Sequence, residues 1–369
     1  MLRARLTQRV RETQTRFSLA RSLGLRHTLR RWQTDRAFFG RLPQRRSEFT
    51  KTIWTEAAQE LGAEFRQVSP RLFHFRRDGV TVHVLGQRTP FADPVSIELA
   101  SEKHLSYDLI AGAGVPVPAH VVVARDDHRA ARAFLEAGPV PCVVKPVRGG
   151  GGQGVTAAVM TAAQLVRAMA RGALTGRDLL VERQAAGDHY RILLLDGEVL
   201  DVLRRDRPQV VGDGASTIEQ LMFAEYERRL SSTAPDGLKP FPVDLDCLFT
   251  LELGGLHLHT VLPAGKVAVV KSATNISGSR ECTTFRGLVS TQLVAEARAA
   301  TAAVGVRLGG VDIVTTDPSV SLVESGGVAL EVNPIPGLVH HYNVAEPAAA
   351  TRVAVPILAA LFEKARRVA

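Results

Sequence analysis

Val143-Val144-Lys145-Pro146-Val147-Arg148-Gly149-Gly150-Gly151-Gly152-Gln153-Gly154 is the stretch on which the reading of this chain turns. It begins as an apolar strand carrying one lysine and ends in a glycine run. Consecutive glycines lose more backbone freedom on folding than any other residues. What they offer is exposed N–H groups that close around a phosphate with no side chain in the way. A Walker A loop needs Lys and Ser or Thr directly after its last glycine, and Gly154 is followed by Val155-Thr156. A dinucleotide-type G-x-G-x-x-G is formally present at Gly149, Gly151 and Gly154, but a run of glycines satisfies almost any glycine pattern. That motif must also open a helix, and Val155-Thr156-Ala157-Ala158-Val159 favours a strand. The remaining reading is a glycine-rich hairpin between antiparallel strands, a flap over phosphates that is among the least ordered parts of the body without nucleotide. The bland alternative is a loop with no ligand.

Outward from this hairpin the pattern is mixed. Ser47 caps a helix to Leu61, with Phe49, Ile53, Ala57 and Leu61 on one face. Short alternating strands follow at 65–68, 72–75 and 80–84, turning at Arg77-Asp78-Gly79. A helix runs from Val95 to about Ala113 and carries Lys103. Val121–Ala124 and Asp178–Arg183 read as strands, 127–136 and 161–171 as helices. His189–Leu195 and Glu198–Leu203 form a hairpin. A helix starts at Ile218, 231–265 is locally ambiguous, and 290–304 is an alanine-rich helix. Val311–Thr315 and Val328–Val332 are strands before a closing helix from Pro347 to Arg367.

Of 369 residues, 45% are hydrophobic and 22% charged, an ordinary globular composition with room for two or three domains. The net charge of +9 is uneven. Residues 1–46 hold 13 arginines against Glu12 and Asp35, a net of +11, so the rest carries −2. The body therefore does not read as nucleic-acid-binding. The arm reads as a helix packed on the body or on a neighbouring subunit, with a homodimer allowed for; membrane, RNA, an acidic partner and a transit peptide are its other readings. No apolar run reaches membrane-spanning length. Cys142, Cys247 and Cys282 are far apart, with no disulfide or zinc spacing, and the expected compartment is the cytoplasm.

Taken in order, VVKPVRGGGGQGV, LLVERQAAGDHYRILLLDGEV, VVGDGASTIEQL, GGVDIV and ALEVNPIPGL resemble the ATP-grasp superfamily. The resemblance is strongest to the ATP-grasp domain of cyanophycin synthetases and of bifunctional glutathione-forming enzymes. It covers roughly residues 95–345. It implies an α+β fold with nucleotide between two antiparallel sheets. The expected division is a basic arm at 1–46, a pre-ATP-grasp α/β unit at 47–100, a central lid domain at 101–185 and a C-terminal domain at 186–369.

The resemblance also assigns residues. Lys103 and Lys145 match two phosphate-binding lysines, and a lysine on a buried strand needs an ionic partner, which a phosphate supplies. Gly149, Gly150, Gly151, Gly152, Gln153 and Gly154 close over the β- and γ-phosphates. Glu182 sits at the adenine-side hinge, the backbone of Arg183, Gln184 and Ala185 faces the adenine, and Asp188 accepts from the ribose. Glu331 and Asn333 are i and i+2 on one strand and share a face; Asp312 lies across a hairpin. These hard oxygen ligands suit Mg²⁺, and an unpaired buried carboxylate is costly, so a metal is favoured over a solvated hairpin edge. Arg191, Lys271 and Arg280 are the expected catalytic cations. Arg205, Ser216, Asn275 and Ser277 are the expected substrate contacts. Glu281-Cys282-Thr283-Thr284 departs from the family's usual glycine and aspartate. The implied activity is an ADP-forming ligase that uses ATP and Mg²⁺ to activate a carboxylate as an acyl-phosphate for attack by an amine, on amino acids or short peptides. A kinase on the same fold, or a nucleotide-binding accessory protein recruiting a partner through the arm, are the alternatives.

Overall fold

The computed structural model describes residues 47–231, 243–274 and 282–368. The arm therefore lies outside the described residues. Four antiparallel sheets organise the rest, and two of them carry the site.

The lid sheet has the order β4-β7-β5-β6, from β4 (His120–Ala124), β5 (Cys142–Pro146), β6 (Thr156–Val159) and β7 (Asp178–Arg183). β5 and β6 pair antiparallel around the glycines, so the flap is a hairpin, not the start of a helix. Strand alternation divides its residues. Cys142, Val144, Leu179 and Val181 enter a core with the helices His128–Glu136 and Ala162–Gly172. Lys145 and Glu182 point to the other face, toward the second sheet.

That second sheet has the order β12-β9-β8-β13-β14: β8 (Asp188–Leu195), β9 (Glu198–Arg205), β12 (Cys282–Thr284), β13 (Leu308–Thr315) and β14 (Val328–Asn333). Its outer face, with Ile192, Leu194, Val202, Val311, Ile313, Ala329 and Val332, packs on the helix Thr291–Val304. The inner face carries the charged residues.

The three-stranded sheet β1 (Glu64–Gln67), β2 (Leu72–Arg77), β3 (Val80–Leu85) buries Phe73, Phe75, Val82 and Val84 against the helix at 47–60 and the closing helix Ala354–Val368. Ser47 is helical and bonds the Pro70 carbonyl at 2.8 Å, so it does not cap this helix. The closing helix starts at Ala354, because Pro347–Ala349 forms a separate 3₁₀ turn. A small ribbon, β10 (Gln209–Val211) with β11 (Val267–Val269), packs with the helices Ile218–Ser231 and Leu245–Leu253. The Leu245–Leu253 helix, in the stretch the sequence left ambiguous, also puts Leu245 and Phe249 into the lid core.

One helix expected from the sequence is two. The chain is helical over Pro94–Ser101 and again over Lys103–Gly112, broken at Glu102, which is extended (φ −96°, ψ 96°). Asp93 caps the first helix through N–H bonds from Val95 and Ser96. Ala100, Ile110 and Val115 pack with the second sheet, whereas the lid's own core begins on β4. The break at Glu102 makes Lys103 the first residue of its helix, beside the flap.

Candidate active site

The two sheets face each other across a cleft of about 1050 Å³, its open mouth included. The lid side supplies Lys103, Lys145, the flap and Glu182; the second sheet supplies His189, Asp312 and Glu331.

On the lid side, Lys145 and Glu182 are 7% and 3% exposed. Lys145 Nζ lies 2.8 Å from Glu182 Oε1. It also donates to the Tyr107 hydroxyl at 2.9 Å, and that hydroxyl donates to Glu182 Oε2 at 2.9 Å. The ionic partner that a buried Lys145 needs, expected to be a phosphate, is already present as Glu182. Lys103 Nζ donates to the Gly149 carbonyl at 2.7 Å and the Val147 carbonyl at 3.5 Å, tying the helix to the flap. Burial lowers its pKa, with Glu331 opposing that change.

Flap glycines differ in their constraints. Gly149, Gly151, Gly152 and Gly154 have positive φ. A Cβ on Gly154 would run into Thr175 Oγ1 and lie 2.9 Å from Pro146 Cγ, whereas one on Gly150 would meet nothing within 4 Å.

At the hinge, the backbone N–H of Arg183 donates to Ala119 O (2.9 Å) and that of Gln184 to Pro141 O (3.0 Å). These two N–H groups are therefore committed within the protein, so within the backbone expected to face the adenine they are not available as donors. The Arg183 guanidinium stacks 4.3 Å over Phe134 and donates to the Pro139 carbonyl at 2.6 Å. Ala185 lines the cleft.

The inner face of the second sheet is built around Asp312, which pairs in register with Arg191 on β8 and Glu331 on β14. Arg191 Nε and Nη2 grip its two oxygens at 2.7 and 2.6 Å, a bidentate fork. His189 Nε2 is 3.5 Å and Arg205 Nη1 3.7 Å from the same carboxylate. Burial would raise the Asp312 pKa, but Arg191 and His189 overcome it and hold the carboxyl well below its usual range. The argument for a metal from an unpaired Asp312 therefore fails: Arg191 pairs it. Glu331 is different. Burial raises its pKa and the Asp312 charge raises it further, while Lys103, Arg191 and Lys145 offset part of this. In the amide orientation that satisfies both ends, Asn333 Nδ2 donates to Glu331 Oε1 (3.2 Å) and its oxygen accepts from Arg191 Nη2 (3.1 Å).

Other expected residues lie elsewhere. Asp188 is exposed at the start of β8, and the period of two places it opposite His189 and Arg191. It is His189 that faces the cleft, with Nδ1 on the Thr274 hydroxyl. Lys271 is not a free cation at the cleft: it is buried between Asp244 and Asp246, the latter at 3.4 Å. Burial works against its charge, but the two aspartates more than compensate and raise its pKa. Ser216 donates its N–H and its hydroxyl to Asp213, both at 2.6 Å. The donors of this expected substrate contact are thus taken by a side chain of the protein; chiefly through the Ser216 hydroxyl bond, Asp213 is brought down to about 2. Arg205 is buried on β9 and donates to the Thr274 carbonyl at 3.0 Å. Asn275, Ser277 and Arg280 lie outside the described residues.

Sequence reasoning missed Tyr107, His189, Arg207 and the Asp244–Asp246 pair. Tyr107 is four residues after Lys103, and His189 is two before Arg191, so both spacings were legible. Arg207 lines the cleft and donates to the Gly187 carbonyl at 2.8 Å. Asp246 accepts N–H bonds from Ala157 on β6 and Ala273 beside the cleft, both at 3.2 Å; nothing in its sequence context announces this.

No protein-family model matches the chain. The crystal structure of a bifunctional glutathione synthetase from Pasteurella multocida superposes with a TM-score of 0.56 over 85% of this chain and 44% of that one, at 20% identity. A cyanophycin synthetase of Geminocystis herdmanii is 31% identical over 271 residues, which are 73% of this chain and 31% of the relative. The chain belongs to the ATP-grasp superfamily. A D-alanine–D-alanine ligase of Alcanivorax borkumensis is 27% identical over 206 residues, 55% of this chain and 60% of that enzyme. The chain spans less than a third of the length of the cyanophycin synthetase it matches. The sheets facing each other across the cleft are the ATP-grasp fold that the sequence motifs implied, and among the described residues no helix is long and apolar enough to cross a membrane.

Proposed function

We propose that this ATP-grasp chain is an ADP-forming ligase that joins a carboxylate to an amine, on amino acid or short peptide substrates. The observation that carries this reading is the placement of the glycine flap, Lys103 and Lys145 opposite Asp312 and Glu331 in one cleft. Flap N–H groups and the two lysines bind the phosphates of ATP. Asp312, Glu331 and Asn333 are the residues that would hold Mg²⁺. Glu331 fits that role: its desolvated carboxyl is pushed up by burial and by its acidic neighbour, a charge conflict that a divalent cation relieves, whereas Asp312 would share with the metal the two oxygens that Arg191 already holds. When bound, the metal supplies charge neutralisation to the terminal phosphates.

The residues of the chain do the positioning. Arg191 fixes Asp312 by its fork and so orients the acidic face. Arg205 adds positive potential where a substrate carboxylate approaches the γ-phosphate, and His189, whose pKa is lowered by burial, stands beside it as a neutral imidazole. That carboxylate oxygen takes the phosphoryl group and ADP leaves. The amine nitrogen then attacks the acyl carbon, phosphate departs, and the amine gives its proton to solvent or phosphate. No covalent bond to a side chain is required, so preorganised charge and proximity carry the rate. The three cysteines are buried thiols rather than disulfides, which fits the cytoplasm as the working compartment.

ADP release measured over pairwise combinations of amino acids and dipeptides tests the reading. A ligase releases ADP only with both an acid and an amine, and hydroxylamine traps the activated acid as a hydroxamate. ADP release that needs one substrate alone, with a stable phosphorylated product, would replace the ligase by a kinase.

A further inference from the structure

The helix Lys103–Gly112 carries Lys103 and Tyr107 one turn apart on one face. Lys103 reaches the flap; Tyr107 reaches the other lysine. The Tyr107 ring is 1% exposed and lies edge-on to His120, with centroids 5.0 Å apart. Its hydroxyl closes a three-membered ring of contacts, accepting from Lys145 at 2.9 Å and donating to Glu182 at 2.9 Å, while Lys145 and Glu182 meet at 2.8 Å.

We propose that Tyr107 is a positioning residue for nucleotide binding, whose hydroxyl holds Glu182 when Lys145 turns to a phosphate. This rests on the ATP reading above. A phosphate oxygen that draws on the Lys145 ammonium takes positive charge away from a carboxylate that is 3% exposed. A buried carboxylate deprived of its partner is costly unless another donor satisfies it. The Tyr107 hydroxyl is already in place to do so. Burial and the neighbouring Glu182 push its ionisation far up, so it stays a donor. Its bond to Glu182 therefore contributes more with nucleotide bound than without, and only such a difference changes affinity.

The test is calorimetric titration of the full chain with a non-hydrolysable ATP analogue and Mg²⁺, together with steady-state kinetics. Tyr107→Phe is expected to weaken analogue binding about tenfold, the scale of one hydrogen bond to a charged group. Its kcat at saturating ATP and its KM for acid and amine should stay within about twofold. Equal analogue affinity in wild type and variant overturns the inference, as does a loss shared by kcat and every KM. A wild-type protein that does not bind the analogue overturns the ATP reading itself and this inference with it. Glu182→Gln removes the charge that the hydroxyl serves, so in that background Tyr107→Phe should weaken binding less than about threefold; a persistent tenfold loss overturns the idea. Should Tyr107→Phe not fold, the wild type decides: hydroxyl-proton exchange at Tyr107, read by NMR with labelled tyrosine, should slow when analogue and Mg²⁺ are added, and unchanged exchange would sink the inference.

Discussion

Removing the Arg191 fork should expose the cost of a buried carboxylate. Arg191 and Asp312 are joined by two bonds of 2.7 and 2.6 Å, with side chains 7% and 3% exposed. Breaking such a buried pair from one side costs about 3–5 kcal/mol, because the remaining charge is left uncompensated. His189 at 3.5 Å and Arg205 at 3.7 Å soften the loss for Asp312, so Arg191→Met should sit near the lower end, at about 3 kcal/mol. Asp312→Asn leaves the Arg191 and Arg205 guanidinium groups together without their anion and should cost a similar amount. The double variant removes both charges and should lose less than the sum by about 2 kcal/mol, within the range of coupled neighbours. Denaturant unfolding of the four proteins measures this cycle. The pH dependence has a definite sign. In the wild type, Asp312 has a lowered folded pKa, so its stabilisation is complete above the unfolded value of about 3.9 and fades as pH falls through the folded one. In Arg191→Met, burial dominates and the ionised carboxyl is a burden. The deficit of the variant is therefore largest near neutrality and shrinks below about pH 4. A coupling under about 0.5 kcal/mol, or a deficit independent of pH, would refute the reasoning.

The flap and the Lys271 cluster yield expectations of the same kind. Gly154→Ala adds a Cβ against Thr175 and Pro146 at positive φ, so it should destabilise the lid by about 1–3 kcal/mol and raise KM for ATP; Gly150→Ala, with open space around it, should be tolerated in thermal melts, and hydrogen exchange over Gly149–Gly154 should slow when Mg²⁺ and ATP are added. Lys271→Met strands Asp244 and Asp246, so it should lower the melting temperature by about 5 °C; analogue affinity should stay within a few-fold, and a selective fall in kcat would restore Lys271 to the catalytic cations.

The parts of the fold legible in the sequence were those set by local rules. The strand after Gly154, the capped helix after Thr161 and the register of Asp312 with Glu331 all follow from period, capping and spacing. What was illegible depends on contacts between distant segments. Lys145 on a buried strand implied a partner, but a sequence cannot say whether Glu182 or a phosphate arrives first. Lys271 reads as one of several cations near a motif. Its partners are the N-cap Asp244 and the first-turn Asp246 of the helix Leu245–Leu253, in the stretch with no clear period. The break at Glu102 was hidden for a related reason: Glu102 is bridged to Arg148 near the flap, a tertiary contact that overrides helix propensity. Strand alternation alone puts His189, rather than Asp188, on the face of Arg191.

These partnerships explain how a cleft so rich in cations is stable before any nucleotide enters. Lys145, Arg191 and Lys271 each meet a carboxylate of the chain, at Glu182, Asp312 and the Asp244–Asp246 pair. A buried charge without such a partner would cost several kcal/mol. Lys103 is handled differently. Its ammonium rests on the carbonyls of Val147 and Gly149, and burial rather than an acid dominates its shift. Carbonyl dipoles compensate a charge less fully than a carboxylate does, so Lys103 has the most to gain from a phosphate. It is also the cation attached to the flap. An anion that draws Lys103 inward therefore loosens or moves the carbonyl of Gly149 at the same time, which ties phosphate recognition to flap position through one side chain. Lys145 gains less, because it exchanges one anion for another. On the proposed ATP reading, the two lysines that look equivalent in sequence would have different work: Lys103 would sense the phosphates and the flap together, and Lys145 would trade Glu182 for a phosphate within an already neutral site.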